Sequence, residues 1–381
     1  MKETGNEGLI YSLTFTHFIN DLYQNIMPPL LPLLTASLAL SYLEGGILIT
    51  SVTLISVILQ PVIGHFAEAR GQKKRLLVLG FTVLSCSVFL FSFSNTYYSF
   101  LGTALLIGLG LSFYHPLAMS SISDRYESSK GKALGIHGIG GAFGFFSGPL
   151  ILNLFLYTIG WRQGFRVLFV ATFLLSIFLL KRLKIFDEGY AEARGLIGNV
   201  ASSIVFLGMY NAFFVVAFVG LMAFLPSFYV LKGIPLITSN FLFALVWSVG
   251  IIAQPIGGLL SDRFERKSLM ILYSFLFIPS LFLFSLTSGV TALLMIIVAS
   301  FTVRLITPGL IAYVSDLSRE ENRAYSIGLV WSMFQGSLAV GPILTGLLID
   351  RQGFQGAFTS LTVVAMLGFF CLLPVYKKQE T

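Results

Sequence analysis

The chain has 381 residues, of which 56% are hydrophobic and 11% charged, with a formal net charge of +7. A soluble domain carries about 25% charged residues, so a water-soluble globular fold is excluded. The basic excess invites a nucleic-acid reading, which the placement of the charges rejects.

Apolar runs close to or above the ~20 residues that cross a bilayer recur from end to end. In chain order they cover residues 10–34, 44–66, 75–93, 98–121, 131–156, 163–184, 203–230, 237–261, 268–287, 290–316, 323–349 and 354–376. In lipid each run must satisfy its own backbone hydrogen bonds, so each is predicted to be a helix. The longest polar interruption, residues 185–202, follows the sixth. The predicted fold is therefore all-α and polytopic, with twelve transmembrane helices. A six-helix half spans residues 1–184, a cytoplasmic linker 185–202, and a second six-helix half 203–381.

With the N-terminus inside and the helices alternating, 19 of the 24 Lys and Arg fall in cytoplasmic segments. Four fall outside (Arg162, Arg166, Lys232 and Arg351), and Arg304 lies within a helix. This asymmetry predicts a multi-pass inner-membrane protein with both termini cytoplasmic. It makes the basic balance a matter of topology and excludes nucleic acid as a partner. The N-terminal residues lack a small-residue cleavage site and are not read as a removable signal peptide. Cys86 and Cys371 sit in apolar runs and read as small buried hydrophobes, not a disulfide.

Helix 1 carries one polar stripe: His17, Asn20, Asp21, Gln24 and Asn25 at i, i+3, i+4, i+7 and i+8. Of the 17 acids, Asp21 alone falls near mid-depth. A charge there costs several kcal/mol unless it meets a cavity or a partner. Asp21 is therefore the candidate proton-coupling carboxylate, with His17 one turn away to orient it or pass a proton. A purely structural polar cluster is the alternative. Helix 2 ends in Gln60-Pro61, Gly64, Glu68, Arg70 and Lys73. On helix 4, His115 precedes Pro116, which removes a backbone donor and predicts a local kink. Helix 5 carries His137, Gly140, Gly141, Gly144, Gly148 and Pro149, a spacing of small residues that lets helices approach closely. The four His are scattered over helices 1, 2, 4 and 5, so no metal and no cofactor are expected.

In the second half, Tyr210 and Asn211 make a polar spot on helix 7. Helix 8 ends in Gln254-Pro255, Gly258, Asp262, Arg263, Arg266 and Lys267. Arg304 on helix 10 shares a face with Ser300 and Thr307. It reads as an anchor for an anionic or carbonyl-bearing substrate, or as a counter-ion for Asp21. Helix 11 matches helix 5 with Ser332, Gln335, Gly336, Ala339 and Gly341-Pro342.

The two halves repeat each other. Gln60, Pro61, Gly64, Glu68 and Lys73 match Gln254, Pro255, Gly258, Asp262 and Lys267, every offset being 194. Pro32 matches Pro226 at 194, Pro116 and Asp124 match Pro308 and Asp316 at 192, and Gly148-Pro149 matches Gly341-Pro342 at 193. Four matches in order make an internal duplication, a device of membrane transporters.

At these positions the chain resembles the major facilitator superfamily. That family's motif after the second helix reads G-x-x-x-D-[RK]-x-G-[RK]-[RK]. Gly64, Glu68, Gly71 and Lys73 fit it, with Ala69 and Gln72 departing; Gly258, Asp262, Arg263, Arg266 and Lys267 fit the second copy, with Glu265 departing. The segments at 17–34, 112–124 and 135–149 are similar to the fosmidomycin-resistance-type branch. The resemblance implies alternating access around a cavity lined by helices 1, 4, 7 and 10. On these helices Asn20, Gln24, His115, Tyr210, Asn211 and Arg304 become candidate substrate contacts. It implies cross-half charge pairs among Glu68, Arg70, Lys73, Asp262, Arg263 and Arg266 that gate the cytoplasmic side. Gly140, Gly144, Gly148 and Pro149 resemble the fifth-helix motif of the family's antiporters. His115 stands where proton-coupled members often place an Arg.

The expected function is secondary active transport: proton-coupled efflux by antiport of small organic molecules or drugs, with proton symport of a small organic anion as the alternative. The partners expected are a small-molecule substrate, protons and the bilayer, and the chain is expected to work as a monomer. An enzyme is not expected. No Walker, Gly-x-Ser-x-Gly or His-Glu-x-x-His motif is present, and Gly138 to Gly144 lie inside a membrane helix with no preceding strand. No signalling domain is visible that would make the chain a sensor.

Overall fold

A computed structural model describes residues 7–126, 130–182, 201–319 and 322–375, and within them all regular structure is helical. The expected linker lies almost wholly outside the described residues. Among the described residues, ten helices are long and apolar enough to cross a membrane.

The first expected span is two helices, α1 (Glu7–Gln24) and α2 (Met27–Leu38). Pro28 and Pro29 explain the break. They lack the N–H that would bond to the carbonyls of Gln24 and Asn25, and their rings clash with those carbonyls. Asn25 fixes the broken end by donating its amide to the Phe145 carbonyl at 2.9 Å. Next come α3 (Tyr42–Arg70) and α4 (Lys73–Phe91), joined at Gly71, whose φ of +58° suits glycine. The fourth expected span is likewise broken, into α5 (Tyr97–Leu111) and α6 (Tyr114–Arg125). Pro116 leaves the Ser112 carbonyl without its helical donor, which is the expected kink. α7 (Lys130–Thr158) and α8 (Trp161–Arg182) follow.

The second half holds α9 (Ser202–Leu231), α10 (Leu236–Arg263), α11 (Arg266–Leu286), α12 (Gly289–Leu317) and α13 (Arg323–Leu372). α13 contains both last expected spans, meeting at Gly353 with φ 72° and ψ 175°, a conformation open essentially to glycine alone.

Two compact units result. The first comprises Met1–Leu40, Ile47–Glu192 and Tyr229–Leu245; the second comprises Ser41–Gly46, Ala193–Phe228 and Val246–Thr381. In the first, α1 packs along α7, and α4 against α5 and α8. Leu13, Val88, Phe91, Leu117 and Phe165 are fully buried there, and Phe91 stacks on Phe165 at 5.2 Å. In the second, α11 packs against α12 and α13 around buried Phe214, Phe277, Phe284 and Phe358. Large side chains such as Val170, Leu174 and Phe178 on α8 remain exposed, as a lipid-facing surface requires.

Glycines bring α1 and α7 backbone to backbone. A Cβ at Gly140 would collide with the Thr14 carbonyl oxygen. One at Gly144 would stand 2.5 Å from the Phe18 carbonyl oxygen, and one at Gly148 would stand 3.0 Å from that of Leu22. Steps of four on both helices make this a parallel small-residue crossing. Pro149 follows inside the same helix. In the second unit a Cβ at Gly341 would stand 3.0 Å from the Val216 carbonyl oxygen. Leu22 and Val216 are 194 apart and Gly148 and Gly341 are 193 apart, so the sequence repeat returns as repeated packing.

Candidate functional site

The polar stripe of α1 meets α6 and α7 inside the first unit. Asp21 is 5% exposed and His17 9%. His17 Nε2 lies 3.2 Å from Asp21 Oδ2, and His17 Nδ1 lies 2.8 Å from the His137 carbonyl oxygen. Asn20 donates its amide to Asp21 Oδ1 at 2.9 Å and reaches His115 Nε2 at 3.4 Å. His115 Nε2 lies 3.7 Å from Asp21 Oδ1. The break before α6 starts that helix at Tyr114, so that Tyr114 and His115 both turn toward α1. The Tyr114 hydroxyl donates to the Leu13 carbonyl and stands 3.0 Å from His137 Nε2. The His17 and His137 rings stack at 4.1 Å, and His115 meets His17 edge-on at 5.2 Å.

Donor and acceptor rules fix where protons sit. A carbonyl only accepts, so His17 Nδ1 carries a proton toward His137. The remaining contact, Nε2 to Oδ2, then holds together only if one proton lies between them. That proton belongs either to an imidazolium facing a carboxylate or to a carboxyl facing a neutral ring. With Asn20 donating to it, His115 Nε2 is the lone-pair nitrogen of a neutral ring. Tyr114 has one proton, committed to Leu13, so His137 Nε2 donates to it. His17 and Asp21 thus share one proton, with His115 Nε2 3.7 Å from the carboxylate.

His17, Asp21 and His115 each bring a donor atom within 4.8 Å of the others. The scattering of histidines along the sequence hid this, and His137 joins them, its ring stacked on His17. A closed metal site uses four ligands. Here the fourth neighbour, Asn20, points its amide N–H into the cluster and occupies lone pairs that a cation would need.

Gln24 is part-exposed and makes no hydrogen bond among the described residues. In the second unit, Tyr210 is fully buried with its hydroxyl on the Met270 carbonyl and Ser274, both at 3.2 Å, and so belongs to the core. Asn211 is 3% exposed on the same helix. Arg304 is part-exposed, its guanidinium 4.3 Å from the Trp247 ring centre and 5.8 Å from that of Phe218. Ser300 donates to the Val246 carbonyl at 2.7 Å and ties α12 to α10 beside it.

Among the gating candidates, the Glu68 side chain lies outside the described residues. Arg70 covers the Phe66 ring at 4.7 Å, Lys73 is 5% exposed, and Asp262 and Arg263 are exposed. Arg266 pairs with Asp316. This pair joins the start of α11 to the end of α12, which pack together within the second unit.

Sequence reasoning missed Tyr114 and Gly141 as members of the Asp21 cluster, and Trp247 and Phe218 as neighbours of Arg304. The signal for the first pair was present: Tyr114 adjoins His115, and Gly141 is one turn beyond His137. It also missed Asp350, whose carboxylate accepts the backbone N–H groups of Tyr42 at 2.9 Å and Leu43 at 2.8 Å, capping α3.

The family model of the Major Facilitator Superfamily matches residues 13–305 and 240–381. The chain belongs to the Major Facilitator Superfamily and is a multi-pass membrane transporter of that fold. It is 23% identical over 392 residues to the fosmidomycin resistance protein of Escherichia coli (strain K12), covering 96% of this chain and 92% of that protein. It is 27% identical over 383 residues to multidrug resistance protein 1 of Bacillus subtilis (strain 168), covering 96% of each. Among solved structures, a bacterial homologue of the human lysosomal transporter Spinster superposes with a TM-score of 0.85 at 16% identity, covering 97% of this chain and 96% of that one.

Proposed function

We propose that this protein is a proton-coupled secondary transporter that exports small organic molecules by antiport, with Asp21 as the proton site and His17 as its partner. One observation carries the reading: the buried His17–Asp21 contact at 3.2 Å, in which the bond to His137 leaves room for a single shared proton. When that proton leaves, a ring lone pair faces a carboxylate in a low-dielectric setting, and the two side chains must part. His115 is the next acceptor for the proton. The glycine crossing locks the α1 backbone to α7, so strain at Asp21 is passed to a helix pair and is not absorbed locally. A bias of about 1.4 kcal/mol changes the ratio of two access states tenfold. A substrate that favours the deprotonated state then exchanges with the proton.

In this reading the chain sits in the inner membrane with both termini cytoplasmic and acts as a monomer by alternating access. Arg304 is its foremost substrate contact, and Asp262 and Arg263 contribute to cytoplasmic gating. The names of the two relatives, fosmidomycin resistance and multidrug resistance, support export. Uptake of an organic anion by symport is the second reading, favoured by the guanidinium of Arg304. The test uses liposomes with an imposed pH gradient and a pH dye inside. Fosmidomycin is the first compound and a panel of anionic and neutral aromatics follows. Antiport moves compound and protons in opposite directions; movement in the same direction selects symport, and transport indifferent to the gradient removes coupling.

A further inference from the structure

We propose that Arg304 forms, with Trp247 and Phe218, a recognition subsite for an oxyanion joined to a flat apolar group, so that the transported compounds are aromatic or similarly planar carboxylates and phosphonates. The proposal rests on the transporter reading above but not on its proton step.

Arg304 is a guanidinium at membrane depth, where a charge persists only with compensation. The compensation visible in the second unit is partial. Trp247 covers one face of the guanidinium at 4.3 Å, and Phe218 stands beside it at 5.8 Å. The Arg304 side chain lies along α10 at Gly250, where a Cβ would meet its stem and guanidinium carbon at 3.5 Å, an ordinary contact. Stacking uses the π-face of the ring system and leaves the five N–H donors, which lie in the guanidinium plane. Among the described residues no carboxylate lies within ion-pair distance of Arg304 and no acceptor receives its N–H groups. The described acids of that unit, Glu44, Asp262, Glu265, Asp316 and Asp350, all stand at helix ends or beside the Gly353 turn. A structural arginine would be paired; this one is held in orientation by an aromatic face with its donor edge unspent.

The chemistry that completes such a group is a planar or tetrahedral oxyanion taken by two parallel N–H bonds. Trp247 and Phe218 add an apolar wall next to the charge, so the anion comes attached to a flat apolar body. Lysine would not substitute, because it has neither the fork nor the stacking plane.

Equilibrium binding to the full-length protein in nanodiscs tests this, with 2-naphthoate, phenylphosphonate and neutral 2-naphthamide as probes. The wild type should bind 2-naphthoate about tenfold or more tighter than 2-naphthamide, the range expected for a charge-assisted bidentate bond. Arg304→Gln should remove that preference and leave 2-naphthamide within about twofold. Should Arg304→Gln fail to fold, Arg304→Lys decides, with at least a threefold loss of preference expected. Equal affinity for the acid and the amide, binding of none of the probes, or a preference that survives both substitutions overturns the proposal. Asp21→Asn should keep the anion preference. Preference without proton coupling therefore faults only the proton step, and coupled transport without preference faults only this subsite.

Discussion

A side chain at Gly141 would stand 2.6 Å from Asp21 Oδ2 and 2.6 Å from His17 Cε1. The absence of a Cβ on α7 is therefore what allows the carboxylate and the imidazole to face each other across the helix contact. Gly141→Ala should disrupt the pair. Overpacking costs about 1–3 kcal/mol, which outweighs the 0.5–1 kcal/mol that alanine returns in a helix. Gly138→Ala, three residues away with nothing within 4 Å, should be neutral or slightly stabilising. Thermal unfolding together with gradient-driven transport checks both; equal behaviour of the two variants would contradict the packing argument.

His115 should matter for rate more than for binding. Its Nε2 is the acceptor nearest Asp21 after His17. His115→Ala is expected to slow proton-coupled exchange about tenfold or more while substrate affinity stays within about twofold. Stopped-flow proton release alongside equilibrium binding separates the two. An unchanged rate removes His115 from the proton path.

The architecture was legible because it depends on patterns that survive in one dimension. Apolar length gives the spans, and the near-194 offset returns in the matched packing of Gly148 on Leu22 and Gly341 on Val216. Asp21 and His17 were legible because one helical turn joins them. His137 and Tyr114 were not, because their meeting with His17 depends on two breaks and on how closely α7 approaches. Pro28, Pro29 and Pro116 announced the breaks, but the resulting directions are a property of packing. Tyr210 reads as a polar spot in sequence, and only the position of α11 shows its hydroxyl bonded into the core. Asp350 falls between the last two apolar runs, and its partner is the start of a helix some 300 residues earlier.

Asp350 caps α3 through the Tyr42 and Leu43 N–H groups. Asp350→Ala should cost about 1–2 kcal/mol, the usual range for a lost helix cap. Asp350→Asn, which keeps an acceptor oxygen but loses the charge favourable at a helix N-terminus, should cost less than half as much. Thermal unfolding of the pair reads the order; a larger loss for Asn than for Ala would contradict a capping role.

The Arg266–Asp316 pair is 24% and 41% exposed, so solvent screens it. A double-mutant cycle with Arg266→Ala and Asp316→Ala should give a coupling of about 0.2–1 kcal/mol. If Asp262 instead takes part in the cytoplasmic gate, Asp262→Lys should change the labelling of cysteines introduced on the cytoplasmic side while stability holds. Unchanged labelling counts against the gate.

The central claim is that Asp21 carries the coupled proton. The most direct measurement is transport by Asp21→Asn in liposomes, with and without a pH gradient, beside the wild type. The substitution keeps the size of the side chain and its contact with His17. The account predicts that the wild type is driven by the gradient, whereas Asp21→Asn binds substrate but shows no acceleration and moves no protons. A variant that still accumulates or expels substrate in response to the gradient, with proton flux intact, contradicts it.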